Sequence, residues 1–329
     1  MNPTPTELIT TIPVFNGERF LPATLACLAA QTRKPDRVVV IDNGSTDRTA
    51  EIVHSFRDLP CEFRRNDRNL GVLGNLNRCL QLSRETRFLH LLMSDDIVKP
   101  TFYERMLPVL GSSPTRGLAY CFHENISKDG TVLERVQGLP EGPPGAISLK
   151  RFLIPQSECR TVILPGVVFK TDFQPPVCEF PNMPQVGDGL FLAEWAVATG
   201  AVFEIREYLC QYRLHPFSAS SRHIYNLQAF VRDEWDLSKR IRGWIHEPLI
   251  PRLLRRFRLW VLYSARAQVK IDMMQRLQPE FADEIRRYQI ETFGRLGAAA
   301  GQGVVRARDL LRIARGRPVR VDELLTTTV

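Results

Sequence analysis

Through its first 120 residues the chain alternates short β-rich apolar runs with stretches of helical spacing, and this alternation restricts the fold more than any other feature. Residues 8–14 form the first run. Residues 20–31 follow, with Leu21, Leu25, Leu28 and Ala29 on one helical face. The Val-Val-Val-Ile run within 37–42 predicts a buried strand, and residues 46–56 a helix capped by Ser45 or Thr46. Next come a weaker strand at 61–65 and a helix at 71–83 with Leu73, Leu76 and Leu80 in register. A buried strand at 88–93, a helix at 101–110 and a fifth strand at 117–123 complete the series. This β-α-β-α order predicts an α/β fold: a mostly parallel sheet with helices on both faces.

In such a sheet the ligand sits at the carboxyl ends of the strands. Four polar loops occur there: Pro13–Glu18, Asp42–Asp47, Asn66–Gly71 and Ser94–Asp96. They contain neither GxGxxG nor GxxxxGK[ST], so a dinucleotide-binding dehydrogenase and a P-loop NTPase are excluded. Beyond residue 125 the pattern changes. Residues 128–147 are rich in Gly and Pro and predict a turn and an exposed loop. Strands are expected at 162–170, 201–206 and 210–215, and a helix at 188–199. From residue 224 the chain reads as helical, broken by Pro248, Pro251 and Pro279, with a disordered tail over 316–329.

Charge is distributed unevenly. The net +8 is concentrated between residues 252 and 320, which hold 16 Lys/Arg against 6 Asp/Glu. Such an excess predicts an acidic partner for that end, or a solvated helical surface. Leu253, Phe257 and Trp260 share a helical face that Arg252, Arg255, Arg256 and Arg266 can flank. Residues 252–270 are therefore expected either to touch an anionic membrane peripherally or to pack on the preceding domain. Nothing in the pattern indicates a nucleic-acid partner. No apolar run is long enough to span a bilayer, and no secretion signal is expected. The seven cysteines are scattered without a CxxC, which predicts a reducing, cytoplasmic setting, at most peripheral at the inner face of the membrane.

The ordered set of loops resembles family 2 glycosyltransferases with the GT-A fold. It runs through Thr11-Ile12-Pro13-Val14-Phe15-Asn16-Gly17-Glu18, Gln31-Thr32 and Val40-Ile41-Asp42-Asn43-Gly44-Ser45-Thr46-Asp47. It continues with Asn69-Leu70-Gly71, Asn75, Asp95-Asp96, Pro100, Gly187-Asp188, Tyr212-Arg213-Leu214-His215 and Ser218. The resemblance covers residues 7–222. It implies a GT-A domain over 1–222, with a nucleotide-sugar half (1–125) and an acceptor half (126–222). A basic helical extension follows over 223–315.

The resemblance also implies roles. The donor is a nucleotide-diphosphate sugar, the cofactor Mg²⁺ or Mn²⁺, and the acceptor a growing surface polysaccharide or lipid-linked glycan. The family's D-x-D triplet reads Met93-Ser94-Asp95 here. Asp95 is expected as the main metal ligand, with Ser94 beside the donor and Asp96 either assisting or capping the next element. Pro13, Phe15 and Glu18 would line the nucleotide, and Asp42 and Asn43 would read its base, unless Asp42 only ties its own turn. Asn69 and Asn75 would touch the base or order their loop. Arg213 would pair with phosphate or bridge the two halves, and His215 would approach the metal. Asp188 is expected as general base at a helix start, and the acceptor near Leu164-Pro165-Gly166. Two rival functions are a catalytically degenerate nucleotide-sugar-binding module and a sugar-nucleotide pyrophosphorylase. The latter wants a Gly-rich loop unlike Pro13–Glu18.

Overall fold

The computed structural model describes residues 7–136, 145–160, 162–215 and 226–314. Two compact units are present. One comprises Met1–Gln156, Arg160–Asn182 and Gly187–Leu214; the other comprises Ser157–Cys159, Met183–Val186 and His215–Val329. The expected boundary at 222 lies outside the described residues, as do Ser218 and the tail at 316–329.

In the first unit, β1 (Leu8–Val14), β2 (Arg37–Asp42), β3 (Cys61–Arg65) and β4 (Phe88–Leu91) form a parallel half-sheet in the order β3-β2-β1-β4. Thr11 pairs with Val39 on one side and Leu91 on the other. The remaining strands make the sheet mixed. β6 (Gly117–Ile126) turns by a hairpin into β7 (Val132–Val136) instead of entering a crossover helix. β9 (Val167–Lys170) then inserts antiparallel between β4 and β6. β10 (Val202–Arg213) lies parallel to β6, and β5 (Ile97–Val98) closes that edge.

Side chains alternate across the parallel half. Leu8, Ile12, Val38 and Val40 share a core with Leu21, Leu25 and Leu28 of α1 (Leu21–Ala29) and Val53 of α2 (Thr49–Ser55). That core also takes in Phe102, Met106 and Leu110 of α4 (Phe102–Gly111). The opposite face carries α3 (Gly71–Leu80), whose Asn75 amide donates to the carbonyl of Ile41.

Several sequence expectations are revised. The region 128–147 contains β7 and β8 (Gly145–Ile147), hidden from the sequence because β7 is exposed and charged. The strands expected at 201–206 and 210–215 are one strand, with register shifts against β6 at Ile205/Tyr208 and Tyr208/Cys210. A buried 3₁₀ turn, Leu164–Gly166, replaces the first part of the strand expected at 162–170. α5 (Leu149–Gln156) has no counterpart in the sequence reading.

In the second unit, α7 (Asp233–Gly243), α8 (Leu249–Leu277) and α9 (Pro279–Ala314) surround a core that includes Leu259, Tyr263, Ile271, Met274, Ile285 and Phe293. Pro251 does not break α8. It lies in the first turn, where its missing N–H would have no helical partner. The break comes instead inside α9, at Gly294 (φ 70, ψ 171). Beyond it Gly297 abuts Trp260 and Gly301 abuts Ser264, so the second part of α9 runs alongside α8 in the same direction. A Cβ at Gly301 would stand 2.8 Å from the Ser264 backbone. No described helix is long and apolar enough to cross a membrane.

Candidate active site

The carboxyl ends of β1 and β2 are stitched together by their loops. Asn16, in the left-handed region at φ 52, accepts the N–H of Thr46 with its side chain (2.9 Å) and donates its own N–H to Ser45 Oγ (2.8 Å). The N–H of Gly17 donates to Thr49 Oγ1 and that of Glu18 to Asp47 Oδ2, both at 2.9 Å. Glu18 in turn accepts from the Arg48 N–H. Asp42 is fully buried. Its carboxylate accepts the N–H and the hydroxyl of Ser45, and Arg65 approaches to 3.5 Å. Asp42 thus ties its own turn, and Glu18 braces the neighbouring loop. Pro13 remains half-buried and Phe15 exposed beside them.

Four asparagines organise the loop after β3. The Asn43 amide donates to Asn69 Oδ1 (2.9 Å) and to the Gly71 carbonyl (3.1 Å). Its oxygen accepts the Leu70 N–H (2.8 Å) and the Asn66 amide (3.1 Å), which also donates to Asn75 Oδ1 (2.8 Å). Asn43 therefore fills its full hydrogen-bonding capacity. A carboxylate in its place could make neither donation. Asn69 and Asn75 order the loop. Asn66 was missed by the sequence reading, although an Asn-rich stretch opening onto a helix was its signal.

The acidic turn follows β4. Thr24 of α1, also missed, places its hydroxyl 3.0 Å from the carbonyls of both Ser94 and Asp96. From the other side Arg213, at the end of β10, donates its N–H to Asp96 Oδ1 and its Nε–H to the Asp95 carbonyl, both at 2.8 Å. Its Nη1 reaches the carbonyls of Ser127 and Lys128, and its guanidinium lies over the Phe20 ring. Arg213 is thus a bridge between strand ends. Asp96 is fully buried, and its Oδ2 has no hydrogen-bond partner. Burial first, and then the charge of Asp95, hold its carboxyl well above the ordinary aspartate range. Asp95 and Ser94 are half-exposed on the turn. Among the described residues no three His, Cys, Asp or Glu side chains are grouped to hold a metal unaided.

Asp188 lies in the first turn of α6 (Gly187–Thr199), which begins one residue before the start expected at 188. Its Oδ1 accepts the Gly189 N–H at 2.7 Å, an arrangement the helix dipole favours. Burial nevertheless raises its carboxyl above the ordinary range. The helix start rests beside α3: a Cβ at Gly187 would stand 3.8 Å from Leu73 Cδ2 and 3.1 Å from the Pro181 carbonyl. Asp188 therefore opens near the loops of the parallel half. Gly166, expected to face an acceptor, is buried against Cys121 and Cys210, while the Pro165 carbonyl bonds His90 Nε2. His215 falls in the second unit, at the start of its last segment.

The model of glycosyl transferase family 2 matches residues 10–157. An uncharacterized glycosyltransferase of Rickettsia typhi is 25% identical over 162 residues, covering 48% of this chain and 50% of the relative. A PGL/p-HBAD biosynthesis glycosyltransferase of Mycobacterium bovis is 29% identical over 154 residues, covering 46% and 56% respectively. The chain thus spans about half the length of the curated relatives it matches. Among solved structures, S. aureus TarS 1–349 with UDP-GlcNAc superposes with a TM-score of 0.58 at 14% identity, over 90% of this chain and 92% of that one. A mannosyltransferase of Pyrobaculum calidifontis, solved with GDP-Man and Mn²⁺, gives 0.57 at 14% identity, over 99% and 85%.

Proposed function

We propose that the chain, which has the GT-A fold and matches glycosyl transferase family 2 over residues 10–157, transfers a sugar from a nucleotide-diphosphate sugar to a glycan or lipid-linked acceptor, with inversion. The observation that carries this reading is the Asp95–Asp96 turn. It is held rigidly at the carboxyl end of the parallel half-sheet by Thr24 on one side and Arg213 on the other. The similar folds that bind UDP-GlcNAc and GDP-Man support the donor class.

The donor set at this turn fits a hard divalent cation. Asp95 and Asp96 offer carboxylate oxygens, and Asp96 Oδ2 is buried without a partner. Two carboxylates leave the rest of a coordination shell to the diphosphate and water. When bound there, Mg²⁺ or Mn²⁺ would supply stabilisation of negative charge on the departing diphosphate. Phe15 and Pro13 offer accessible surface to the nucleotide beside the braced Asp42–Asp47 loop.

Asp188 acts on the acceptor. It takes the proton of the hydroxyl, whose oxygen forms a bond to the anomeric carbon. The bond from that carbon to the diphosphate oxygen breaks, and its electron pair leaves with the nucleoside diphosphate. One displacement inverts the centre and needs no covalent enzyme intermediate. A raised carboxyl pKa suits a base working near neutrality. A second reading, a module that binds the donor without turning it over, is favoured only by Met93 at the first position of the family's acidic triplet. Donor turnover with and without Mn²⁺ separates the two. Metal-dependent release of nucleoside diphosphate supports transfer; binding without release supports the module.

A further inference from the structure

The first two turns of α8 expose an apolar surface that the rest of the helix does not. Ile250, Leu254 and Phe257 are 70%, 66% and 64% exposed, and Leu249 and Leu253 more than half, whereas Leu259 is fully buried one turn later. At about 100° per residue these five side chains and Trp260 occupy one arc of about 140°. Trp260 at its edge is half-buried, stacks on Phe257 and abuts Gly297. Leu296, 83% exposed, lies next to Gly297 and so extends the surface from the same end of the bundle.

Charge surrounds this face with one sign. The chain has no carboxylate between Glu247 and Asp272. Two of the arginines expected to flank the stripe are held by internal carboxylates, Arg255 by Glu247 and Arg266 by Glu234, and so is the neighbouring Arg258, by Glu158. Arg252 and Arg256 are exposed along one edge of the arc, and Arg295 beside Leu296. Among the described residues no carboxylate pairs with these three. Arg256 also lies close enough to Arg242 to help lower its pKa, behind the larger effect of burial.

We propose that this end of the helical unit docks on an anionic lipid surface, with Leu249, Ile250, Leu253, Leu254, Phe257 and Leu296 entering the interface and Arg252, Arg256 and Arg295 meeting the headgroups. The charge pattern selects this occupant. A second copy would bring the same arginines face to face, while an anionic bilayer offers apolar depth and negative charge together. The proposal stands independently of the sugar-transfer reading.

The test is co-sedimentation of the full chain with vesicles of phosphatidylcholine alone and of phosphatidylcholine with 30% phosphatidylglycerol, at low and high salt. Partition onto the anionic vesicles is expected to exceed that onto neutral ones by about a hundredfold at low salt, from about three basic contacts, and to shrink at high salt. Leu253→Ser/Phe257→Ser and, separately, Arg252→Glu/Arg256→Glu should each abolish the preference while leaving thermal unfolding and donor turnover unchanged. If the first pair unfolds the protein, the second pair decides alone. Equal partition onto both vesicles, or anionic binding that survives the arginine reversal, overturns the proposal. So does a concentration-dependent dimer that both pairs dissolve.

Discussion

The backbone N–H of Arg213 donates to Oδ1 of Asp96 at 2.8 Å, joining residues 117 positions apart and leaving the other oxygen of that buried carboxylate without a partner. One half of Asp96 thus positions the turn, and the other half is the oxygen proposed above for a cation. The two roles can be separated by substitution.

Asp96→Asn can keep an oxygen facing the Arg213 N–H, and so keeps the fold, but it removes the negative charge. It is expected to weaken Mn²⁺-dependent binding of a nucleoside diphosphate at least tenfold, and Asp95→Ala to abolish it. Calorimetry of UDP and GDP with and without Mn²⁺ measures both. Unchanged metal-dependent affinity in Asp95→Ala would remove that residue from the site.

Asn43→Asp replaces an amide by a carboxylate of the same shape, and it should destabilise. The new carboxylate faces Asn69 Oδ1 and the Gly71 carbonyl as an acceptor among acceptors, and two buried donations are lost. The expected cost is about 2 kcal/mol, with faster amide exchange over residues 66–71. A variant of wild-type stability in urea, with the loop equally protected, would show that the network does not order it.

The parallel half was legible in the sequence because buried strands such as Val38–Ile41 leave a continuous apolar run. The strand-end loops were legible because turn residues punctuate those runs. What side chains do inside the loops was not. Asp42, Asn69, Asn75 and Arg213 each had two open roles, and in the structure each makes bonds within the protein that depend on partners 2 to 118 positions away. Spacing along the chain cannot select such partners. β7 escaped because an exposed, charged strand has no apolar face to announce it. The apolar tip of α8 was read as a stripe at helical spacing, but whether such a stripe is covered depends on tertiary packing alone.

Asp188→Asn should lose turnover by a factor of 100 or more, as for a base acting in the transition state, an estimate on the order of general-base effects, while keeping donor affinity. In the proposed mechanism, activity needs the carboxylate. Because burial raises its pKa, the acid limb of kcat/KM should lie above the ordinary aspartate range rather than within it. A pH profile of turnover measures this. Near-normal turnover in Asp188→Asn, or an acid limb at an ordinary aspartate value, would end the assignment.

Glu234 is buried in the helical unit and pairs with Arg266 at 2.6 Å and Lys270 at 2.9 Å. Burial alone would raise its pKa, but the attraction of Lys270 and Arg266 outweighs it and lowers the value from 4.5 to about 2. Lys270 itself falls below the ordinary lysine range, because its burial outweighs the pull of Glu234. The folded state therefore holds the carboxylate more strongly than the unfolded chain does. The resulting stability is fully present above pH 4.5 and is lost as pH falls toward about 2. Glu234→Gln leaves two cations without their carboxylate at every pH. At pH 6 it should cost about 2 kcal/mol, below the usual figure for a broken buried pair because Arg266 is partly exposed. The gap between wild type and variant should close as pH falls through the same window, since a protonated Glu234 resembles Gln. Urea unfolding followed by Trp235 fluorescence at several pH values measures that gap, and a difference independent of pH would show that Glu234 contributes by packing rather than by charge.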